Sequence, residues 1–160
     1  MSVGLPEPGP DPLIDAVLSA SRALVAIAAR SLGDVADEVT LSQYRALVVL
    51  ASRGPQRVAP LAEALGVTAS TATRMCDRLV RKGLIVRRHE REDRRQVRLS
   101  LASDGRRLVD AVTLRRRQEI ASLLAVIPSE QRLDLIDALT RLAMAAGEVP
   151  EQSWSSGWDL

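Results

Sequence analysis

Three features of the sequence predict a mainly helical (α+β) fold carrying one small β-hairpin: an aliphatic composition, helical spacing of apolar residues along most of the chain, and one stretch of strand-like alternation. Of 160 residues, 46% are hydrophobic, yet there is no Phe, one Tyr and only two Trp. A core of Leu, Ala and Val favours packed helices over a β-sandwich. The length suits one domain with a substantial core and leaves no room for a second, catalytic one.

Residues 1–12 carry Gly4, Pro6, Pro8, Gly9, Pro10 and Pro12 and read as a disordered lead-in, not as a signal peptide. A first helix is expected over about residues 11–32, where Leu13, Ile14, Val17, Leu18, Leu24, Val25, Ala28 and Leu32 recur at helical spacing. Thr40 followed by Gln43 is a capping-box pattern that opens a second helix through Tyr44, Leu47, Val48 and Leu50. After the break at Arg53, Gly54 and Pro55, Pro60 sits in the first turn of a short helix with Leu61, Ala62 and Leu65, which Gly66 ends. Thr68 then caps a helix reaching about Lys82, with Ala72, Met75, Cys76, Leu79 and Val80 on one face. Its other face carries Ser70, Thr73, Arg74, Asp77, Arg78 and Arg81, with Thr71 on the flank.

Two strands follow, at about residues 84–89 and at 96–101, where Val97, Leu99 and Leu101 alternate with Gln96, Arg98 and Ser100. A charged turn, residues 90–94, joins them. Long helices are expected over about residues 103–126 and 129–146, separated by Pro128. The tail from Glu148, with its Ser, Gly, Pro, Trp154 and Trp158, reads as poorly ordered unless a partner buries the tryptophans.

Lys+Arg 22 against Asp+Glu 20 leaves a net charge of only +2, but the charge is unevenly spread. Residues 74–107 hold 12 bases and 5 acids, a local +7, whereas the remainder holds 10 bases and 15 acids, or −5. A basic block on a nearly neutral chain is the footprint of a face that docks on a polyanion. A merely solvated charged surface gives the same count. The order of the elements favours the first reading.

A short helix, a glycine turn and a second helix with Ser, Thr and Arg outward make a helix-turn-helix. With the arginine-rich hairpin after it, the unit becomes a winged helix-turn-helix. The B-DNA major groove admits one helix; Thr68, Ser70, Thr71 and Thr73 suit phosphates or base edges, and Arg74 and Arg78 suit bidentate pairing with guanine. The wing, with Arg88, Arg91, Arg94 and Arg95, suits an adjacent minor groove of enhanced negative potential.

The run Val67-Thr68-Ala69-Ser70-Thr71-Ala72-Thr73-Arg74, then Asp77-Arg78-Leu79, Gly83-Leu84-Ile85 and Arg91-Glu92-Asp93-Arg94-Arg95, resembles the MarR (multiple antibiotic resistance regulator) family. Leu41-Ser42-Gln43-Tyr44-Arg45-Ala46-Leu47 is similar to the family's second helix, and Pro128-Ser129-Glu130-Gln131-Arg132 to the start of its last. The resemblance spans about residues 13–146. It implies a two-fold dimer, held by its N- and C-terminal helices, that binds a pseudo-palindromic operator in double-stranded DNA as a transcriptional regulator, usually a repressor. It also implies that Asp93 orients Arg95 as the minor-groove contact. One departure is Ala102 where the family usually has Thr, so that Ser103 is expected to take over the cap.

The domain limits follow: a DNA-binding lobe over about residues 40–101, dimerisation helices over about 13–33 and 103–146, and a flexible tail over 147–160. The stripes Leu13/Val17/Leu24, Leu108/Val112/Ile120/Leu123 and Leu133/Ile136/Leu139/Leu142 are more apolar surface than the winged motif can cover, so a homodimer is expected on these grounds also.

Other residues carry weaker signals. Tyr44 is read as a packing residue, with a lining role in a small-molecule effector pocket as the alternative. Cys76, on the apolar face of the recognition helix, is read as a buried, inert thiol, with redox sensing as the alternative. His89 is read as a surface or phosphate-contacting residue, and no metal or cofactor is expected. There is no HExxH, phosphate loop, dinucleotide fingerprint or nucleophile elbow, so no enzyme is expected. A winged-helix module that docks on another protein is the remaining alternative. The longest uninterrupted apolar run, residues 23–29, is far below the roughly 20 residues that span a bilayer, so no membrane partner is expected. With one cysteine and no disulfide, the expected compartment is cytoplasmic.

Overall fold

The computed structural model describes residues 11–35, 39–89 and 96–154. Helix α1 (Pro12–Leu32) begins where Asp11 accepts the Leu13 amide at 2.9 Å. Gly33–Val35 then forms one 3-10 turn. Helix α2 (Leu41–Arg53) opens on the expected capping box: Thr40 Oγ1 accepts the Gln43 amide and Gln43 Oε1 accepts the Thr40 amide, each at 3.2 Å. This helix is the centre of the fold. Ala46, Leu47, Val49, Leu50 and Ala51 are buried, and α2 packs against the first, third and fifth helices and the second strand.

Helix α3 (Val58–Leu65) starts two residues before Pro60, with Arg57 at the cap position and no side-chain cap. Gly66 turns the chain at φ 66, ψ 32, a left-handed conformation that a residue with a Cβ adopts only with strain. Helix α4 (Ala69–Arg81) follows, its first turn fixed by Thr68 Oγ1 accepting the Thr71 amide at 3.3 Å. Ala72, Cys76 and Leu79 are buried from this helix, as the periodicity predicts.

Strands β1 (Ile85–His89) and β2 (Val97–Leu101) pair antiparallel from Ile85↔Leu101 to His89↔Val97. Gln56 adds a bridge that the sequence does not reveal: its amide donates to Leu99 O at 3.0 Å, and Leu99 N donates to Gln56 O at 2.8 Å. The hairpin is thereby tied to the loop before α3.

Helix α5 (Ser103–Leu124) has Ala102 at its cap position with no side-chain cap, so Ser103 lies in the first turn and does not take over capping. The start is held by packing instead. The Ala102 amide donates to Leu84 O at 3.0 Å, and Gly105 lies so close that a Cβ there would fall 2.0 Å from the same oxygen. After a 3-10 turn at Ser129–Gln131, helix α6 (Arg132–Ala145) completes the regular structure.

The core joins α2, α3, α4, the hairpin and the first half of α5, with Leu47, Leu50, Leu61, Leu79, Ile85, Leu99, Val109 and Val112 fully buried. The terminal helices differ: α6 has no buried residue, and Leu133, Ile136, Leu139 and Leu142 are exposed, as are Leu13, Ile14 and Leu18 of α1.

Two expectations need correction. By length and composition α1 is apolar enough to cross a membrane, with a mean hydropathy of 1.6. Counting uninterrupted runs missed this because Asp15, Ser19, Ser21 and Arg22 break the run, while the Leu, Ile, Val and Ala residues around them outweigh them in the mean. The C-terminal half of α1 is anchored within the fold, with Ile27 and Leu32 buried and Arg30 paired with Glu119 of α5 at 2.8 Å. The second correction concerns the tail, whose first residues are docked. Glu148 pairs with Arg45, and Glu151–Ser153 forms a 3-10 turn. Trp154 packs on the core, with its indole N–H donating to Val149 O at 3.1 Å. Trp158 lies outside the described residues.

Candidate nucleic-acid interface

Because the inner face of α4 is bound into the core through Ala72, Cys76 and Leu79, its outer face is fixed. Ser70, Thr73, Arg74 and Arg78 are exposed and Thr71 is half-buried. The hydroxyls are not equivalent. Thr68 Oγ1 lies 3.2 Å from Ser70 Oγ and donates to Thr71 Oγ1 at 3.0 Å, so it is chiefly a cap. Thr73 Oγ1 donates to Ala69 O at 2.8 Å, which leaves its lone pairs to accept from a base amino group but no proton for a phosphate.

Among the described residues no carboxylate pairs with Arg74 or Arg78. The one acid on this face, Asp77, pairs instead with Arg87 of β1, which fastens the recognition helix to the wing. In the hairpin, Arg88 stands directly opposite Arg98. Arg57 Nη1 donates to Gln96 Oε1 at 3.1 Å, linking the start of α3 to the hairpin. Arg91, Asp93, Arg94 and Arg95 lie outside the described residues. Arg57, Arg87 and Arg98 were not singled out by sequence reasoning; the basic block signalled the latter two.

Behind the recognition helix lies a cavity of about 590 Å³, lined from both lobes. Ala28 and Arg116 come from α1 and α5, Tyr44, Arg45 and Val48 from α2, and Met75 from α4 itself. Tyr44 is buried, with its hydroxyl 3.5 Å from Thr113 Oγ1, and burial raises its pKa above the ordinary 10.0. It both packs in the core and lines the cavity. Arg45, Met75, Arg116 and Trp154 carry no sequence signal for this role, since the tertiary fold alone brings them together.

Cys76 is fully buried, and desolvation raises its thiol pKa although Arg87 pulls the other way. A thiol so placed is protonated and shielded, which disfavours redox sensing. Among the described residues no group of three His, Cys, Asp or Glu side chains is arranged to hold a metal ion.

The MarR family model matches residues 39–97, from the start of α2 into the second strand. The HTH-type transcriptional repressor MdtR of Bacillus subtilis (strain 168) is 34% identical over 119 residues, which cover 74% of this chain and 77% of that protein. The chain belongs to the MarR family. This MarR protein is therefore a DNA-binding transcriptional regulator, built as a winged helix-turn-helix. The crystal structure of RV1404 from Mycobacterium tuberculosis is 41% identical and superposes with a TM-score of 0.81, covering 91% of this chain and 99% of that one. A MepR variant of S. aureus, bound to an oligodeoxyribonucleotide, shares the fold with a TM-score of 0.60 at 22% identity, over 85% of this chain and 99% of that one.

Proposed function

We propose that this regulator is a ligand-responsive repressor acting in the cytoplasm as a homodimer on a pseudo-palindromic operator. The observation that carries the reading is the outer face of α4, where Arg74 and Arg78 project without an acidic partner among the described residues, beside a hairpin with Arg88 opposite Arg98. Ser70, Arg74 and Arg78 read the major groove, Thr68 and Thr71 set the first turn, and Thr73 accepts from a base. Arg88, Arg91, Arg94 and Arg95 serve the wing, with Asp93 orienting Arg95.

Homodimerisation is supported by the uncovered apolar faces of α1 and α6. Each Leu or Ile there gains roughly 1.5–3 kcal/mol when a partner covers it, and two-fold pairing sets two recognition helices on half-sites about 34 Å apart. Ligand response is supported by the cavity, because its walls come from α1 and α5 on one side and from Met75 of α4 on the other. A ligand that prefers one separation of the lobes shifts the half-site spacing by its difference in affinity for the two states.

Fluorescence anisotropy with the DNA upstream of the protein's own gene tests the reading, alongside sedimentation velocity. Tight binding at low salt by a dimer, lost in Arg74→Ala/Arg78→Ala, supports it. A monomer, or binding unaffected by the two substitutions, refutes it. Salt dependence no steeper than one or two phosphate contacts would instead favour a module that docks on protein.

A further inference from the structure

The residues after α6 do not leave the body of the protein. Glu148 N donates to Ala143 O at 3.0 Å, which turns the chain back, and Arg53 Nη2 of α2 holds Gly147 O at 2.8 Å. Glu148 then receives two hydrogen bonds from the Arg45 guanidinium, one at 3.1 Å, and Arg117 of α5 pairs with Glu151 at 2.7 Å. Glu148, Glu151 and Trp154 stand in the wall of the cavity behind the recognition helix. A segment expected to hang free thus crosses from α6 to α2 and α5 over that cavity.

We propose that residues 147–154 form a strap that closes the cavity and is released when the Arg45–Glu148 and Arg117–Glu151 ion pairs open. The proposal rests on reading the cavity as the ligand site, and it adds a gate supplied by the chain itself. Both pairs lie at the rim, with side-chain exposures of 39% and 41% for Arg45 and Glu148 and 64% and 39% for Arg117 and Glu151. Exposed pairs of this kind are individually weak and screened by salt, so the latch opens readily. The apolar seat of Trp154 and its hydrogen bond to Val149 O keep the strap folded as a unit. Opening widens access to Tyr44, Val48 and Met75, which stand in the same wall as Arg45 and Arg116, a surface suited to a small molecule with a hydrophobic body.

The test uses the full chain carrying Trp158→Phe, so that Trp154 is the only tryptophan, and the neutral dye N-phenyl-1-naphthylamine, whose lack of charge removes direct attraction to either ion pair. Dye binding is read by energy transfer from Trp154, and exposure of the strap by acrylamide quenching of the same residue. Glu148→Gln should raise dye affinity at least threefold and increase quenching, with the circular dichroism spectrum unchanged. Raising salt from 50 to 500 mM should do the same to the Trp158→Phe protein and little to the Glu148→Gln variant. The exchanged pair Arg45→Glu/Glu148→Arg should return both readings toward the starting values. Unchanged or weaker dye binding in Glu148→Gln, or binding without energy transfer from Trp154, overturns the strap. None of these readings involves DNA, so a strap that opens in a protein whose DNA binding ignores ligands would refute ligand response while leaving the strap intact.

Discussion

Gly105→Ala puts the junction between the hairpin and α5 to a direct test. An added Cβ would lie 2.0 Å from Leu84 O, 3.0 Å from Leu84 C and 3.2 Å from Leu101 Cδ2. The nearest atom is backbone and cannot swing aside. That carbonyl also accepts the Ala102 amide, so moving it strains the start of α5. Overpacking costs about 1–3 kcal/mol and weakening the hydrogen bond about 0.5–1.5 kcal/mol, against a gain of up to about 1 kcal/mol from replacing a helical glycine. The net expectation is a loss of about 2 kcal/mol. With a urea m-value of roughly 2 kcal/mol/M, the unfolding midpoint should fall by about 1 M. The comparison must be made at one protein concentration, because the proposed dimer would add to apparent stability. DNA affinity should fall as well, since Leu84 immediately precedes β1. A variant as stable as the parent would show that α5 does not approach the hairpin as closely as described.

Other substitutions probe separate parts of the argument. Thr68→Ala should cost about 1 kcal/mol in urea unfolding through loss of the α4 cap, whereas Thr68→Ser should cost little; equal losses would contradict the capping role. Asp77→Asn should leave stability nearly unchanged, because its pair with Arg87 is exposed. It should steepen the log–log salt dependence of DNA binding by about 0.9 per subunit, or about 1.8 for the proposed dimer, as Arg87 becomes free for phosphate, and an unchanged slope would count against a wing contact there. Native Cys76 should resist Ellman's reagent at pH 8 and react only on unfolding; rapid stoichiometric labelling of folded protein would reopen the redox reading. Tyr44 has its pKa raised by burial, so its protonated form is favoured in the fold. Its contribution is therefore full below the ordinary value near 10 and is lost as pH rises through the higher folded value. Alkaline unfolding should be delayed to higher pH in Tyr44→Phe, and an identical alkaline limb would refute this.

The features legible in the sequence are those fixed by neighbours along the chain. The Thr40–Gln43 box, the Thr68 cap and the apolar stripe of α4 rest on contacts within a few residues, and each stands where it was expected, whereas the alternation of β2 is only partly kept, because Leu99 is buried as expected but Ser100 on the other face is buried too. Contacts between distant residues were not legible. Arg45 and Glu148 are 103 residues apart, and no spacing rule links them. The composition of residues 148–154 suggests disorder because Ser, Pro and Trp form no periodic face, yet this segment is held by partners on α2 and α5. The start of α5 misled for a related reason: with no hydroxyl at residue 102, the expected local cap gave way to packing against Leu84.

The place of Met75 has a consequence for how such a regulator diverges. Arg74 is exposed while Met75, one residue on, lines the cavity, so a single step in register separates the position proposed to face DNA from one in the wall of the proposed ligand site. On that reading, substitutions on the outer side re-target the operator and substitutions on the inner side retune the proposed ligand site, with the same buried Ala72, Cys76 and Leu79 holding the helix throughout. The proposed ligand response thus places two specificities back to back on one short helix, each open to change without repacking the other.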